Sequence, residues 1–378
     1  MTDNTLDIGG ICPPKFAAVK DAFAANFTEG KERGARFSAV IDGETVLDIW
    51  GGNADREGTV PFSDTTLTPV FSTGKAIMAV MIARLVDKGR LDYETAVSHY
   101  WPEFGQNGKS RITLGQLISH QGGLPGFSPP QDPSIWFDVE ATLKALCEQA
   151  PLWTPGQGSG YHPIAGGYLL GEVFRRVDGR SLGTALREDI AAKFGLDLMI
   201  GTPDEYAPRI ATMQKPSSAP DLGTLDAIKQ AAFLDRGSSP AGKGSADWRR
   251  MEIPSANTHS TALSLARFMG IVANGGTLQG RRLLSLGTLG QLTRERIYGQ
   301  DRVLPFKLSW AAGLLRNIGI RIYGPNERAL GHSGWGGSCA MADADKRLSV
   351  GYVMNKQSAY LIGDPRPVRL INALYECL

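Results

Sequence analysis

Residues 76–83 run Ala-Ile-Met-Ala-Val-Met-Ile-Ala, with no polar side chain. As a helix this segment is apolar on every side, so the chain has to enclose it rather than lay one face of it against a core. It is too short to span a bilayer, which takes about 20 apolar residues. Lys75 stands directly before it, in Phe71-Ser72-Thr73-Gly74-Lys75. A lysine leading into a buried helix is costly to desolvate without a polar partner. The fold must therefore surround a central helix and supply partners for the cation at its start. With 378 residues, 42% of them hydrophobic, the chain is long enough to do so as one large domain or two closely packed ones.

Around this helix the periodicity changes along the chain. Phe16, Val19, Phe23 and Phe27 recur at helical spacing. A β-rich run over 36–41, the pair Asp42-Gly43 and a second run over 44–50 read as an antiparallel hairpin. Helices are predicted over 76–88, 114–119, 139–148, 167–177, 182–194 and 262–273, joined by Gly/Pro-rich loops. The stretch 214–260, rich in Pro, Ser, Gly and Ala, reads as long surface loops over the helices that shape a site. Strands return at 308–315, 319–323, 338–342 and 348–354, and a helix over 368–375 closes the chain.

Strands at both ends with helices between predict an α+β fold. One antiparallel sheet is built from the two termini and flanked by N- and C-terminal helices, with an inserted, mostly helical domain. The expected division is 1–71 with 301–378 as the α/β domain and 72–300 as the helical one, the active site lying at their junction.

The 40 basic and 38 acidic side chains nearly cancel and form no charged run, so nothing points to nucleic acid or an acidic membrane surface. Cys12, Cys147, Cys339 and Cys377 lie far apart without a C-x-x-C pair, the pattern of buried free thiols. The segment Met1-Thr2-Asp3-Asn4-Thr5-Leu6-Asp7 has no basic stretch followed by an apolar core, so no secretory signal is read there. The expectation is a soluble cytoplasmic protein. The five histidines never occur at i,i+4 spacing and H-E-x-x-H is absent, so no metal or other cofactor is expected.

Ser72 and Lys75, three apart, share one helix face. An amine of lowered pKa in that position helps deprotonate a hydroxyl. A capping serine and a lysine that snorkels to water fit the same residues. In Gly160-Tyr161-His162-Pro163, after a glycine-rich loop, the Tyr161 phenol suits an acid–base role beside a lysine. It equally suits an ordinary half-buried tyrosine. In Gly331-His332-Ser333-Gly334-Trp335-Gly336-Gly337-Ser338, Gly-rich backbone entering a strand can bring an N–H to a developing oxyanion. His332 there is either a substrate contact or a structural histidine. Gly179-Arg180-Ser181-Leu182-Gly183 fits G-x-S-x-G, but a helix precedes it where a nucleophile elbow needs a strand. It reads instead as a helix stop and a new start.

Taken in order, these motifs resemble the serine β-lactamase and penicillin-binding superfamily, in which S-x-x-K carries the nucleophile. Within it the chain is most similar to class C β-lactamases and the family VIII carboxylesterases that share their fold. The resemblance runs through Trp50-Gly51-Gly52, the Ser72–Lys75 motif, Ile112 to Gly126, Tyr161 with Gly167-Tyr168-Leu169-Leu170-Gly171, Pro254-Ser255, Ser260-Thr261-Ala262, and Gly331 to Gly334. It implies Ser72 as nucleophile, Lys75 as its activator and Tyr161 as the base that also protonates the leaving group. It implies an oxyanion hole from the backbone N–H groups of Ser72 and Trp335, and substrate contacts at His332, Ser333, Gly334 and Trp335.

Two departures bear on the substrate. Class C β-lactamases carry Y-x-N, and the third position here is Pro163, which has no side-chain amide. Their K-T-G is matched by His332-Ser333-Gly334, which lacks the cation for a substrate carboxylate. Aligning Trp335-Gly336-Gly337 with the W-G-G of family VIII esterases is the other possibility, although the spacing to Asp345-Lys346 fits His332 better. Both departures suit a neutral ester. The expected activity is a serine carboxylesterase acting on short acyl esters through an acyl-enzyme, its partner a small-molecule ester. The alternatives are a β-lactamase, a D-alanyl carboxypeptidase or D-aminopeptidase, an acyltransferase, or an inactive binding relative. No signature of a particular oligomeric state is present.

Overall fold

The computed structural model describes residues 6–378; residues 1–5, part of the segment read as free of a secretory signal, lie outside the described residues. The frame is a nine-stranded antiparallel sheet. In chain order its strands are β1 (Ile8–Ile11), β2 (Gly34–Ile41), β3 (Glu44–Gly52), β4 (Ile297–Gln300), β5 (Lys307–Trp310), β6 (Leu315–Arg316), β7 (Leu330–Ser333), β8 (Cys339–Asp343) and β9 (Leu348–Met354). Side by side they run β1-β3-β2-β9-β8-β7-β6-β5-β4. Mid-sheet, β2 pairs with β9 from Ile41↔Leu348 to Ala35↔Met354, so the two ends of the chain meet there. The β2–β3 hairpin turns at Asp42 (φ 54°) and Gly43 (φ 86°), both left-handed, as a two-residue Asp-Gly hairpin requires.

Helices cover both faces. On one, α1 (Ala17–Thr28) packs on the closing helix α4 (Pro365–Glu376). There Phe16, Val19 and Phe23 meet Leu370 and Leu374 over Phe37, Leu47 and Val350 of the sheet. On the other face α3 (Ala262–Ala273) crosses β2, β8 and β9. The helix α2 (Gly74–Asp87) touches β7 and the helices Ala165–Asp178 and Leu286–Thr293, and is buried at every position from Gly74 to Ala83, as the all-apolar run predicts. Helix Val139–Glu148 and α3 begin and end at the predicted residues, and their starts are fixed by Asp138 and Thr261, which cap the first turns through side-chain oxygens.

Several expectations change. The strand predicted over 319–323 is irregular, since Gly319 and Arg321 have φ of 75° and 50°, which breaks an extended run. The run 308–315 is two strands, because Gly313 at φ 79° reverses the chain between β5 and β6. The helix predicted over 182–194 opens into a π turn at Arg187–Ala191. Strands β1, β4 and β7 have no counterpart in the sequence reading. With β4 in the sheet and α3 on its face, the sheet-bearing part of the molecule begins before residue 301. All four cysteines are free, but only Cys147 and Cys339 are buried; Cys12 and Cys377 are partly exposed. No helix among the described residues is long and apolar enough to cross a membrane.

Candidate active site

The chain reaches Ser72 along the short strand Thr68–Pro69, which pairs with His259–Ser260, and the Val70 N–H donates to the Thr258 carbonyl. A 3₁₀ turn, Phe71–Thr73, then leads into α2. Phe71 has φ 47°, a left-handed bulky residue directly before the serine. Backbone of that kind costs on the order of 1–3 kcal/mol and persists only where surrounding packing enforces it. Here the Phe71 ring is held against Trp248 and Trp335.

Lys75 is buried at the head of α2. Its Nζ lies 3.0 Å from Ser72 Oγ, 2.7 Å from the Pro163 carbonyl oxygen and 3.1 Å from that of Ser255. Burial lowers its pKa well below the usual lysine value. The neutral amine has two N–H groups and one lone pair. With the N–H groups on the two carbonyls, the lone pair faces the Ser72 hydroxyl. Lys75 therefore does not snorkel, and Pro163 takes part through its carbonyl, where the related motif offers a side-chain amide.

Tyr161 closes the group from another loop. Lys75 Nζ sits 4.7 Å from its ring centroid, and the ring stacks on Trp310 at 5.9 Å and 10°. His120 meets its edge at 4.9 Å. Burial pushes the phenol above its usual pKa; the Ser72 hydroxyl opposes this in part and the charge of Asp301 adds to it. Burial thus outweighs any lowering by Lys75, and the resting tyrosine is a phenol.

Asp301, absent from the sequence reading, anchors this loop. Its Oδ1 accepts from the N–H groups of Tyr161, Val303 and Leu304, each at 2.9 Å. Its Oδ2 accepts from Ser159 Oγ at 3.0 Å and from the Trp310 indole at 3.4 Å.

The third motif forms the end of β7 and the loop to β8. A Cβ on Gly334 would lie 2.2 Å from the Val70 carbonyl oxygen, so only glycine lets this loop press on the segment before Ser72. The N–H groups of Gly334, Gly336 and Gly337 have backbone acceptors, whereas that of Trp335 has none among the described residues. Of the four residues in the motif, Trp335 lines the cavity at Ser72; His332, Ser333 and Gly334 lie behind that wall. The His332 ring packs beside Tyr161 and Trp310, and its Nδ1–H donates to the Ser333 carbonyl at 2.8 Å. Burial above all brings its pKa down to about 3, so no cation stands at this place at neutral pH.

The cavity opens from Ser72 and Tyr161 with a volume of about 220 Å³. The 214–260 segment supplies much of its wall, including Leu222, Phe233, Pro240 and Trp248, but it is not all loop: Phe233 lies in the helical turn Gln230–Leu234 and Trp248 in the helix Ala246–Arg250. Ser181 is elsewhere: Gly179 ends a helix at φ 89°, and Ser181 caps the next by accepting from the Thr184 N–H at 3.1 Å. Among the described residues no cluster of three or more His, Cys, Asp or Glu is gathered to hold a metal ion.

The chain is 34% identical to the protein named Esterase/beta-lactamase LipL of Mycobacterium tuberculosis over 366 residues, 93% of this chain and 84% of that protein. A crystal structure of a penicillin-binding protein homolog from Caulobacter crescentus matches with a TM-score of 0.97 and 54% identity, covering 98% of this chain and 100% of that one. A family VIII carboxylesterase structure matches at 0.92 and 39%, with the same coverage. The sequence profile of the family described as Beta-lactamase matches residues 19–373, and the chain belongs to that family.

Proposed function

We propose that this protein is a serine carboxylesterase that cleaves acyl esters through an acyl-enzyme on Ser72. The observation that carries the reading is the buried Lys75 Nζ, 3.0 Å from Ser72 Oγ and held by the Pro163 and Ser255 carbonyl oxygens at 2.7 and 3.1 Å. Ser72 passes its proton to Lys75 while Oγ bonds to the ester carbon. The carbonyl oxygen becomes an oxyanion facing the N–H groups of Ser72 and Trp335. When the C–O bond to the alcohol breaks, the leaving oxygen takes a proton from the Tyr161 hydroxyl, which is restored from the Lys75 ammonium. Water then gives its proton to the same amine and attacks the acyl-enzyme. The carboxylic acid leaves and Ser72 recovers its proton.

The apolar cavity and the neutral third motif support an ester substrate, as do the relatives named esterase. Pro163, which has no side-chain amide, weighs against β-lactam or D-alanyl peptide turnover. A fluorophosphonate probe is expected to label wild-type protein but not Ser72→Ala. Turnover of p-nitrophenyl butyrate is expected to exceed that of nitrocefin and a D-Ala-D-Ala peptide. Esterase activity of Ser72→Ala within about tenfold of wild type, only ~1.4 kcal/mol of barrier, would place the nucleophile elsewhere. Faster turnover of the peptide would reverse the substrate assignment.

A further inference from the structure

The cavity at Ser72 has an uneven charge pattern. Its wall carries no aspartate or glutamate, and its one basic side chain is Lys243, from the 214–260 segment. The Lys243 Nζ stands 5.2 Å from the centroid of the Trp335 ring. Trp335 is in turn set edge-on to Phe71 at 5.8 Å, next to the nucleophile. The ammonium is thus tied to the same indole whose backbone N–H faces the reacting carbonyl.

This ammonium has no anionic partner among the described residues. The charge that acts on it is that of a second lysine, Lys215. Lys243 is an exposed residue, and desolvation of its head group, with a smaller effect of Lys215, lowers its pKa. An ammonium without an anionic partner at the mouth of an apolar cavity is costly, and the ring face of Trp335 offsets only part of that cost. A carboxylate arriving with a ligand would relieve it.

We propose that Lys243 is a substrate-carboxylate subsite, so that the enzyme prefers esters bearing a carboxylate remote from the scissile bond over their neutral counterparts. The cation lost from the third motif, where His332 is neutral, is then supplied from a different element. This inference rests on the esterase reading and deepens it. The carboxylate belongs either to the acyl chain, as in a half-ester of a dicarboxylic acid, or to the alcohol.

Two matched pairs separate these sources: mono-p-nitrophenyl adipate against p-nitrophenyl hexanoate, and 4-acetoxybenzoate against phenyl acetate. In at least one pair, Lys243→Met is expected to lower the anionic-to-neutral ratio of kcat/KM by tenfold or more, mainly through KM, while Lys243→Arg retains most of the ratio. The pair that responds identifies the side that carries the anion. An unchanged ratio in both pairs overturns the proposal. Binding of monomethyl adipate and of 4-acetoxybenzoate to Ser72→Ala protein, measured calorimetrically, needs no turnover. At least one is expected to weaken fivefold or more when Lys243→Met is added, and equal affinities for both ligands would overturn the subsite. Wild-type protein that turns over none of the four esters refutes the esterase reading and leaves the calorimetric result to decide on Lys243.

Discussion

The backbone N–H of Tyr161 donates to the carboxylate of Asp301 at 2.9 Å. The same carboxylate accepts from the indole of Trp310, the ring on which Tyr161 stacks. One buried acid therefore sets both the main chain and the ring plane of the proposed proton carrier. Asp301→Asn keeps the volume but replaces one acceptor oxygen by a donor, opposite N–H groups that need acceptors. We expect kcat to fall about 10- to 100-fold with little change in KM. In a Tyr161→Phe background the same substitution is expected to cost much less, because the group it positions is gone. Equal losses in both backgrounds would reduce Asp301 to a purely structural residue.

Tyr161→Phe removes only the phenolic oxygen. As the group that protonates the leaving alcohol, its loss is expected to lower kcat by roughly 10²- to 10⁴-fold. His162 accepts the Leu124 N–H at Nε2 and is fully buried, so His162→Ala is expected to lower the melting temperature more than the turnover of the folded protein. A dead, folded His162→Ala enzyme beside an active Tyr161→Phe would mean that a histidine is the base.

The pH profile of kcat/KM tests Lys75. Its pKa is lowered by burial, so the neutral amine is present from that depressed value upward. Activity is expected to be level from neutral to mildly alkaline pH and to decline on acidification as Lys75 gains a proton. Lys75→Arg, charged at all usable pH, should be inactive. A rate climbing about tenfold per unit from pH 8 to 10 would show that an unperturbed lysine or the phenol must first lose its proton.

Stability should respond to acid through the buried imidazoles. Burial takes His162 and His332 down to about 3 and His259 to about 4, and lowers His120 as well. Below the unfolded histidine value, near 6.5, the unfolded chain binds protons that the folded protein refuses. Each such histidine then removes about 1.4 kcal/mol of stability per pH unit until its folded pKa is reached. Glu32, raised to about 8 by burial, has the opposite sign, since it releases its proton on unfolding between about pH 4.5 and 8. Four histidines outweigh one glutamate, so melting temperatures should drop steeply from pH 6.5 to 5. A flat profile over that window would contradict the buried neutral imidazoles.

The parts of the site visible in the sequence are those encoded locally. Ser72 and Lys75 sit one helical turn apart, and the apolar run after them foretells a buried helix. Asp138 and Thr261 mark helix starts by capping chemistry that depends on the next few residues alone. Asp301 was not legible, because its partner Tyr161 lies 140 positions away and nothing near Asp301 records the contact. Strand β7 was missed because Leu-Gly-His-Ser is buried at every residue and shows no alternation. His332 looked like the counterpart of a substrate-binding lysine by spacing; only the packing of its ring behind Tyr161 reveals which neighbour faces the cavity.

The pairing of β2 with β9 also has a consequence for how the protein is made. Ser72, Lys75 and Tyr161 are all synthesised before half of the chain exists, yet the strand that completes the middle of the sheet ends at Met354. On the ribosome, β2 and β3 leave the tunnel as a hairpin with one unsatisfied edge, and they wait for about 300 further residues before that edge is matched. Such distant pairing makes for slow folding. A chain stopped shortly before Leu348 would carry every proposed catalytic side chain and still lack the strand that joins the two halves of its frame.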